Sequence, residues 1–250
     1  MLLHTFIHIP TIGINTERLI WKQGINDWFD FLNNKPNFMS YEKYLFCCEK
    51  IEEGILNLSN PIYFASRLPK SEHWRLYQDY NSLCVYLDIE TNSREDKAVE
   101  ITVIGIYDGK NYTPFVSGKN LTNFEEFISK YILVVTFNGN TFDLPMIQKN
   151  FPNVYLPPIQ IDLKYSLRKL GIKGGLKKVE EFFFIERPLD VKDLTGYHAL
   201  LLWRQFQNYN DKAALELLLK YNEQDCVNLK PLMDICFERL KSLYFEEIFK

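Results

Sequence analysis

Three short runs rich in β-branched and aromatic residues, LCVYLDI (83–89), VEITVIGIY (99–107) and YTPFVSG (112–118), follow one another with polar turns such as DGKN between them. Such residues favour a pleated, half-buried surface, so the runs read as three consecutive strands. The next apolar run, ILVVTF (132–137), arrives only after NLTNFEEFISKY, which reads as a helix with a polar start. Hairpin-length turns followed by crossovers through helices imply a mixed sheet covered by helices. TFDLPMIQKN is expected to form a short helix interrupted early by Pro145, and PPIQIDL a fifth strand. The remainder reads as helical, through GLKKVEEFF, GYHALLLWRQF and one long stretch from Asp211 to about Tyr244. The expected fold is therefore α/β, with a mixed five-stranded sheet flanked by helices.

Residues 1–80 have another texture, aromatic and helix-like, punctuated by Pro10, Gly13, Gly24, Pro36, Pro61 and Pro69. They are expected to form a helical accessory region ahead of an α/β domain spanning 81–250. With 29 Lys and Arg against 32 Asp and Glu, the net charge of -3 gives no global attraction to a polyanion, so any nucleic-acid contact must be local. The five cysteines form no CxxC pair, which argues against a disulfide framework or a zinc site and for a reducing compartment. No basic leader and no apolar run approaching ~18 residues is present, so a soluble, cytoplasmic protein without membrane spans is expected.

Three motifs, holding four acids between them, are the candidates for chemistry. In Leu87-Asp88-Ile89-Glu90-Thr91 the period-two geometry of a strand puts Asp88 and Glu90 on one face. Two neighbouring buried carboxylates repel, and a divalent cation would remove that penalty; the alternative is a strand running into a solvated acidic loop. Asn138-Gly139-Asn140-Thr141-Phe142-Asp143 follows the buried run ILVVTF and places Asp143 in the first turn of a helix, where helix capping is the alternative role. Within Tyr221-Asn222-Glu223-Gln224-Asp225 a four-residue spacing puts Tyr221 and Asp225 on one helix face, shared with Leu218 and Leu229, so that it points inward. A metal with its water would satisfy that acid; hydrogen bonding at the helix rim is the alternative.

Taken together, a strand-borne DxE, an NxxxFD after a buried strand and a YxxxD on a late helix resemble the DEDDy-type 3'-to-5' exonucleases of the ribonuclease H-like fold. More closely, VYLDIET, VVTFNGNTFDLP, IDLKYSLRKL, GGLKKVEEFFFIER, LLWRQF and ALELLLKYNEQDCVNL are similar to the YprB-type ribonuclease H-like exonuclease domain, over roughly Ser82 to Met233. The opening FIHIPTIGINTERLIWKQGINDWFDFL is similar to the segment that precedes that domain. The resemblance implies that Asp88, Glu90, Asp143 and Asp225 hold two Mg2+ or Mn2+ ions for an in-line phosphodiester hydrolysis. It further implies that Asp88 bridges both ions, that Glu90 and Asp225 complete the nucleophile-side ion and that Asp143 supports the other. Tyr221 is implied to orient the attacking water, because a phenol with a pKa near ~10 is a poor base at neutral pH. The substrate would be single-stranded DNA or RNA. Two competing functions are a silent nucleic-acid-binding module of this fold and a structure-selective endonuclease.

Substrate contacts are expected from Thr91, Asn138 and Phe142 beside the acids, Phe142 offering a stacking surface for an unstacked base. From Leu163 to Val179, Lys164, Arg168, Lys169, Lys173, Lys177 and Lys178 occur without an acidic residue around a glycine-bearing turn, either a phosphate-binding patch, with Lys173 and Lys177 as contacts, or a solvated face. IPTIG followed by TERLIWKQGI resembles the hairpin and second helix of a helix-hairpin-helix motif. Thr11 stands where its first glycine is expected, so a structural brace is the other reading. His4, His8, His73 and His198 are expected to be ordinary packing or surface histidines, and Cys226 a core filler, since no base is positioned to activate it.

Overall fold

A computed structural model describes residues 1–93 and 99–248, with side chains through Tyr244. The chain forms two compact units, one of Met1–Asn81 with Phe237–Lys250 and one of Ser82–Cys236. The chain therefore divides differently from the expected 1–80 and 81–250, because its last helix returns to the first unit from Phe237 onward.

The first unit contains helices α1 (Ile14–Trp21), α2 (Trp28–Asn33), α3 (Tyr41–Leu56), α4 (Pro61–Ala65) and α5 (Tyr77–Tyr80), with a 3-10 stretch over Lys70–Leu76. Polar side chains at Asp27, Ser40 and Asn60 accept from backbone N–H groups of the helices they precede, which explains three of these starts. Trp21, Trp28, Phe31, Phe64 and Trp74 are fully buried here. In the same interior Arg75 is paired with Glu17 at 2.9 Å and Glu72 at 2.8 Å. Breaking one partner of such a buried group costs roughly 3–5 kcal/mol, so these three residues stand or fall together. The backbone turns at Ile9–Ile12, where the Ile12 N–H donates to the Ile9 carbonyl at 3.1 Å, and Thr11 in this turn adopts a left-handed φ of 76°, a conformation that favours glycine. His8 is packed between Trp28 and Phe64, and burial pushes its pKa down to about 4. It is a neutral core histidine.

The second unit is built on β1 (Cys84–Thr91), β2 (Ile101–Tyr107), β3 (Tyr112–Val116), β4 (Leu133–Thr136) and β5 (Ile159–Asp162). Their order in the sheet is β3-β2-β1-β4-β5. The first three strands pair antiparallel, and β4 lies parallel to both β1 and β5. This is the expected mixed five-stranded sheet. Its helices are α6 (Phe124–Ile128), α7 (Asp143–Asn150), α8 (Leu163–Lys169), α9 (Leu176–Phe182), α10 (Leu189–Lys192), α11 (Gly196–Tyr209) and α12 (Lys212–Val227), with α13 (Leu229–Ile248) leading back to the first unit. One face of the sheet presents Val85, Leu87, Ile89, Ile104 and Ile106 to Phe124, Leu144 and Ile147. The other presents Val103 and Val116 to Ala199, Trp203, Leu215 and Leu218.

Two helical expectations change. Pro145 does not interrupt α7, because it sits in the first turn, where its missing N–H has no intrahelical acceptor. The stretch from Asp211 is two helices, broken at Asn228, since Pro231 cannot donate to the carbonyl of Val227 and its ring crowds that carbonyl. Among the described residues no helix is long and apolar enough to cross a membrane.

Candidate active site

Gly105 faces Asp88 in the register between β2 and β1. A glycine inside a strand often marks close approach of another element, and here that element is α12. A Cβ built on Gly105 would lie 1.9 Å from Asn222 Oδ1 and 2.8 Å from Cys226 Sγ. The gap lets fully buried Asn222 reach β1, where its Nδ2 donates to Asp88 Oδ2 at 2.9 Å. The Tyr112 hydroxyl donates to Asn222 Oδ1 at 2.8 Å, which sets the amide with its donor side towards the acid.

With α12 seated in this way, Asp225 arrives beside the strand pair. Asp88, Glu90 and Asp225 each present a carboxylate oxygen, and these oxygens all lie within 4.8 Å of one another. At an effective dielectric of about 20, each pair of charges at that distance repels by roughly 3–4 kcal/mol. Burial and repulsion together hold the Asp88 pKa well above the usual carboxylate range, burial contributing most, followed by Asp225, Asp143 and Glu90. Burial raises Asp225 too, against the opposing pull of Arg187 and a hydrogen bond from Tyr221. Three hard oxygen donors gathered at mutual expense fit a hard divalent cation such as Mg2+ or Mn2+.

Asp143 is placed next to this group by a different device. The turn Asn138–Phe142 is tied down by buried Asp162, whose carboxylate accepts from the N–H groups of Asn138, Asn140 and Lys164. Gly139 packs so closely on Thr136 that a Cβ would lie 2.3 Å from its hydroxyl oxygen. The next residues start α7, and because β4 ends at Thr136, the Ile89 N–H of β1 is left for Asp143 Oδ1 at 3.2 Å. Asp143 is thus bonded between Asp88 and Glu90 on the strand, but it is not one of the three acids within 4.8 Å. Burial is the largest cause that pushes its pKa up to about 7. Tyr221 is buried beside Asp225, and desolvation followed by the nearby carboxylates raises its phenol above the ordinary value, so it remains a hydrogen-bond donor.

The expected substrate contacts are distributed unevenly. Phe142 is 40% exposed next to Asp143, while the Thr91 hydroxyl donates to Ser93 O and Asn138 Oδ1 accepts from Lys164 Nζ. Lys173 is exposed. Lys177 directs its ammonium to the carbonyls of Lys192 and Leu194 instead of to solvent. The basic run is therefore not a uniform patch, since Lys164 and Lys177 are engaged internally. Cys226 is fully buried with its thiol pushed well above its usual range, chiefly by desolvation, and is core.

Three contributors escaped the sequence reading. Asn222 lies three residues before Asp225, on nearly the same helix face, so an amide there was a readable sign of a supported acid. Gly105 inside an apolar strand was another. Arg187 had no local signal: it reaches Asp225 Oδ1 at 2.5 Å from 38 residues away.

Solved structures that the chain is similar to include the family B DNA polymerase of the hyperthermophilic archaeon Pyrobaculum calidifontis (TM-score 0.48, 16% identity, 60% of this chain and 24% of the polymerase). The Aedes aegypti Nibbler EXO domain is another (TM-score 0.48, 14% identity, 68% of this chain and 85% of that domain). The chain therefore corresponds to about a quarter of the polymerase. No curated protein matches the sequence. The RNase_H_2 family model, by contrast, matches residues 85–237, which takes in all four acids and the five strands apart from Cys84 at the start of β1. Sheet order, acidic cluster and family match agree, and the chain belongs to the RNase_H superfamily.

Proposed function

We propose that this protein is a divalent-metal-dependent nuclease that removes nucleotides from the 3' end of single-stranded nucleic acid. The observation that carries the reading is the meeting of Asp88, Glu90 and Asp225 within 4.8 Å, although they come from β1 and α12. The finer assignment, to the DEDDy type and the YprB-type domain with two ions, rests on the motif resemblance and belongs to the same proposal. Asp88, Glu90 and Asp225 would hold Mg2+ or Mn2+, with Asp143 adjoining. The ion would supply Lewis-acid charge to the phosphate and a more acidic water.

The protein's own groups have separable tasks. Asn222 holds Asp88 in one rotamer, and Asp143 is held by the Ile89 N–H. Tyr221, protonated throughout the neutral range, can donate to or orient a water but cannot act as its base. Exposed Phe142 offers a face for stacking a terminal base, and Lys173 a cation for the backbone.

End-labelled DNA and RNA oligonucleotides, incubated with Mg2+, Mn2+ or EDTA, test the reading. Stepwise shortening from the 3' end is expected with metal, none with EDTA, and none on circular single strands. Cutting of circles, or shortening that persists in EDTA, would overturn it.

A further inference from the structure

Arg187 is nine-tenths buried, yet its Nη1 has no hydrogen-bond partner. The rest of the guanidinium is held from two sides. Nε and Nη2 donate to the two oxygens of Glu180, both at 2.7 Å, and Glu180 is itself held by Asn228 Nδ2 at 3.0 Å. Nη2 also donates to Asp225 Oδ1. A guanidinium is planar, with one edge formed by Nε and Nη2 and an adjacent end formed by Nη2 and Nη1. Glu180 takes the edge. The end, with its unpartnered Nη1, is therefore the part turned towards the carboxylate of Asp225.

A buried N–H without an acceptor costs roughly 1–3 kcal/mol, more on a charged group, and calls for a partner that arrives with function. The partner must be anionic or strongly accepting, and it must come to the side where Asp225 lies. Arg187 also lines a cleft of about 570 Å³ together with Lys177, Glu180, Glu181, Glu186 and Phe184. Within the nuclease reading above, on which this step rests, the group that fits is a phosphate oxygen.

We propose that Arg187 is a catalytic residue that donates from Nη1 to a non-bridging oxygen of the scissile phosphate, with Glu180 and Asn228 as its positioning residues. Positive charge fixed beforehand at that oxygen stabilises the charge that builds up during displacement. The same cation beside Asp225 opposes metal binding, so its removal separates the two effects.

The test uses the full chain, with Arg187→Gln, Arg187→Lys and the double variant Arg187→Gln/Glu180→Gln, which removes the buried Glu180 carboxylate that the single variant would leave without its cation. Mn2+ alone is titrated by calorimetry, and kcat/KM is measured on labelled single-stranded DNA and RNA. The expected result is Mn2+ affinity equal to or tighter than that of the unaltered protein, with kcat/KM lower by about 10²–10³-fold and partly restored in Arg187→Lys. Unchanged kcat/KM, or Mn2+ affinity weakened tenfold or more, would overturn the proposal, the latter showing that Arg187 serves only to hold Asp225. If the unaltered protein cuts neither polymer, the nuclease reading fails first and this step with it. Cutting by every variant at the original rate sinks the arginine alone.

Discussion

Replacing Gly105 with alanine would place a methyl group 1.9 Å from Asn222 Oδ1 and 2.8 Å from Cys226 Sγ. Ordinary contacts of this kind are about 3.4 Å or longer, so α12 or its side chains must withdraw by roughly 1–1.5 Å. A shift of that size stretches the 2.9 Å bond from Asn222 to Asp88 beyond hydrogen-bonding reach. Overpacking costs about 1–3 kcal/mol, and loss of a hydrogen bond to a charged group about 1.5–3. These overlap, and a combined loss of about 2–4 kcal/mol lowers the melting temperature by roughly 5–15 °C. Misplacing Asp88 and Asp225 by about 1 Å should reduce metal-dependent cutting about 10²-fold. Thermal denaturation followed by circular dichroism, with single-turnover cutting, measures both. Gly105→Ala/Asn222→Ala is the companion variant: removing the closest clash should recover part of the stability and none of the activity, because Asp88 stays without its amide. Gly105→Ala melting within 1 °C of the unaltered protein and cutting at its rate would refute the argument that α12 seats on this glycine to support the acid.

Asp88→Asn should abolish hydrolysis while the metal-free protein melts no lower than the original, because one member of a repelling buried group is neutralised; a large fall in melting temperature would contradict this. Asp143 carries a pH signature. Its folded pKa of about 7 lies above the ordinary 3.8, so the folded state binds the proton more tightly. Its contribution is complete below pH ~4 and is lost as pH rises towards ~7, at most roughly 4 kcal/mol. The metal-free melting temperature should thus fall between pH 5 and 8, and Asp143→Asn should flatten that fall. Tyr221→Phe should slow cutting with Mn2+ affinity unchanged, measured by calorimetry. Lys173→Ala should lower the salt dependence of oligonucleotide binding, whereas Lys177→Ala, which frees the carbonyls of Lys192 and Leu194, should lower stability and leave the salt slope as it was.

Some of this was legible in advance because it depends on near neighbours. Alternation along LCVYLDIET places Asp88 and Glu90 on one face whatever lies above them, and the spacing of Tyr221 and Asp225 does the same for a helix. The five strands were readable from β-branched runs and turn residues, and their mixed pairing from the lengths between them. Pro145 and Pro231 were harder. The same residue is harmless in the first turn of α7 and helps to end one helix before α13, and only the exact start of each helix separates the two cases. Lys177 shows the limit for charge: as a cation in a basic run it resembled Lys173, yet carbonyls 15 and 17 residues away claim its ammonium.

What the chain's order of residues determined by itself is the inventory of strands and helices and the facing of each acid on its own element, since both follow from periodicities of two and 3.6. Tertiary structure decided the rest. That Asn222 reaches Asp88 across 134 positions, that Asp143 finds the Ile89 N–H where β4 stops short, and that Arg187 turns its open end to Asp225 all depend on where separate elements come to lie. Those positions are set by packing, by a missing side chain at Gly105 and by the length of β4, none of which leaves a mark in the residues immediately beside the acids.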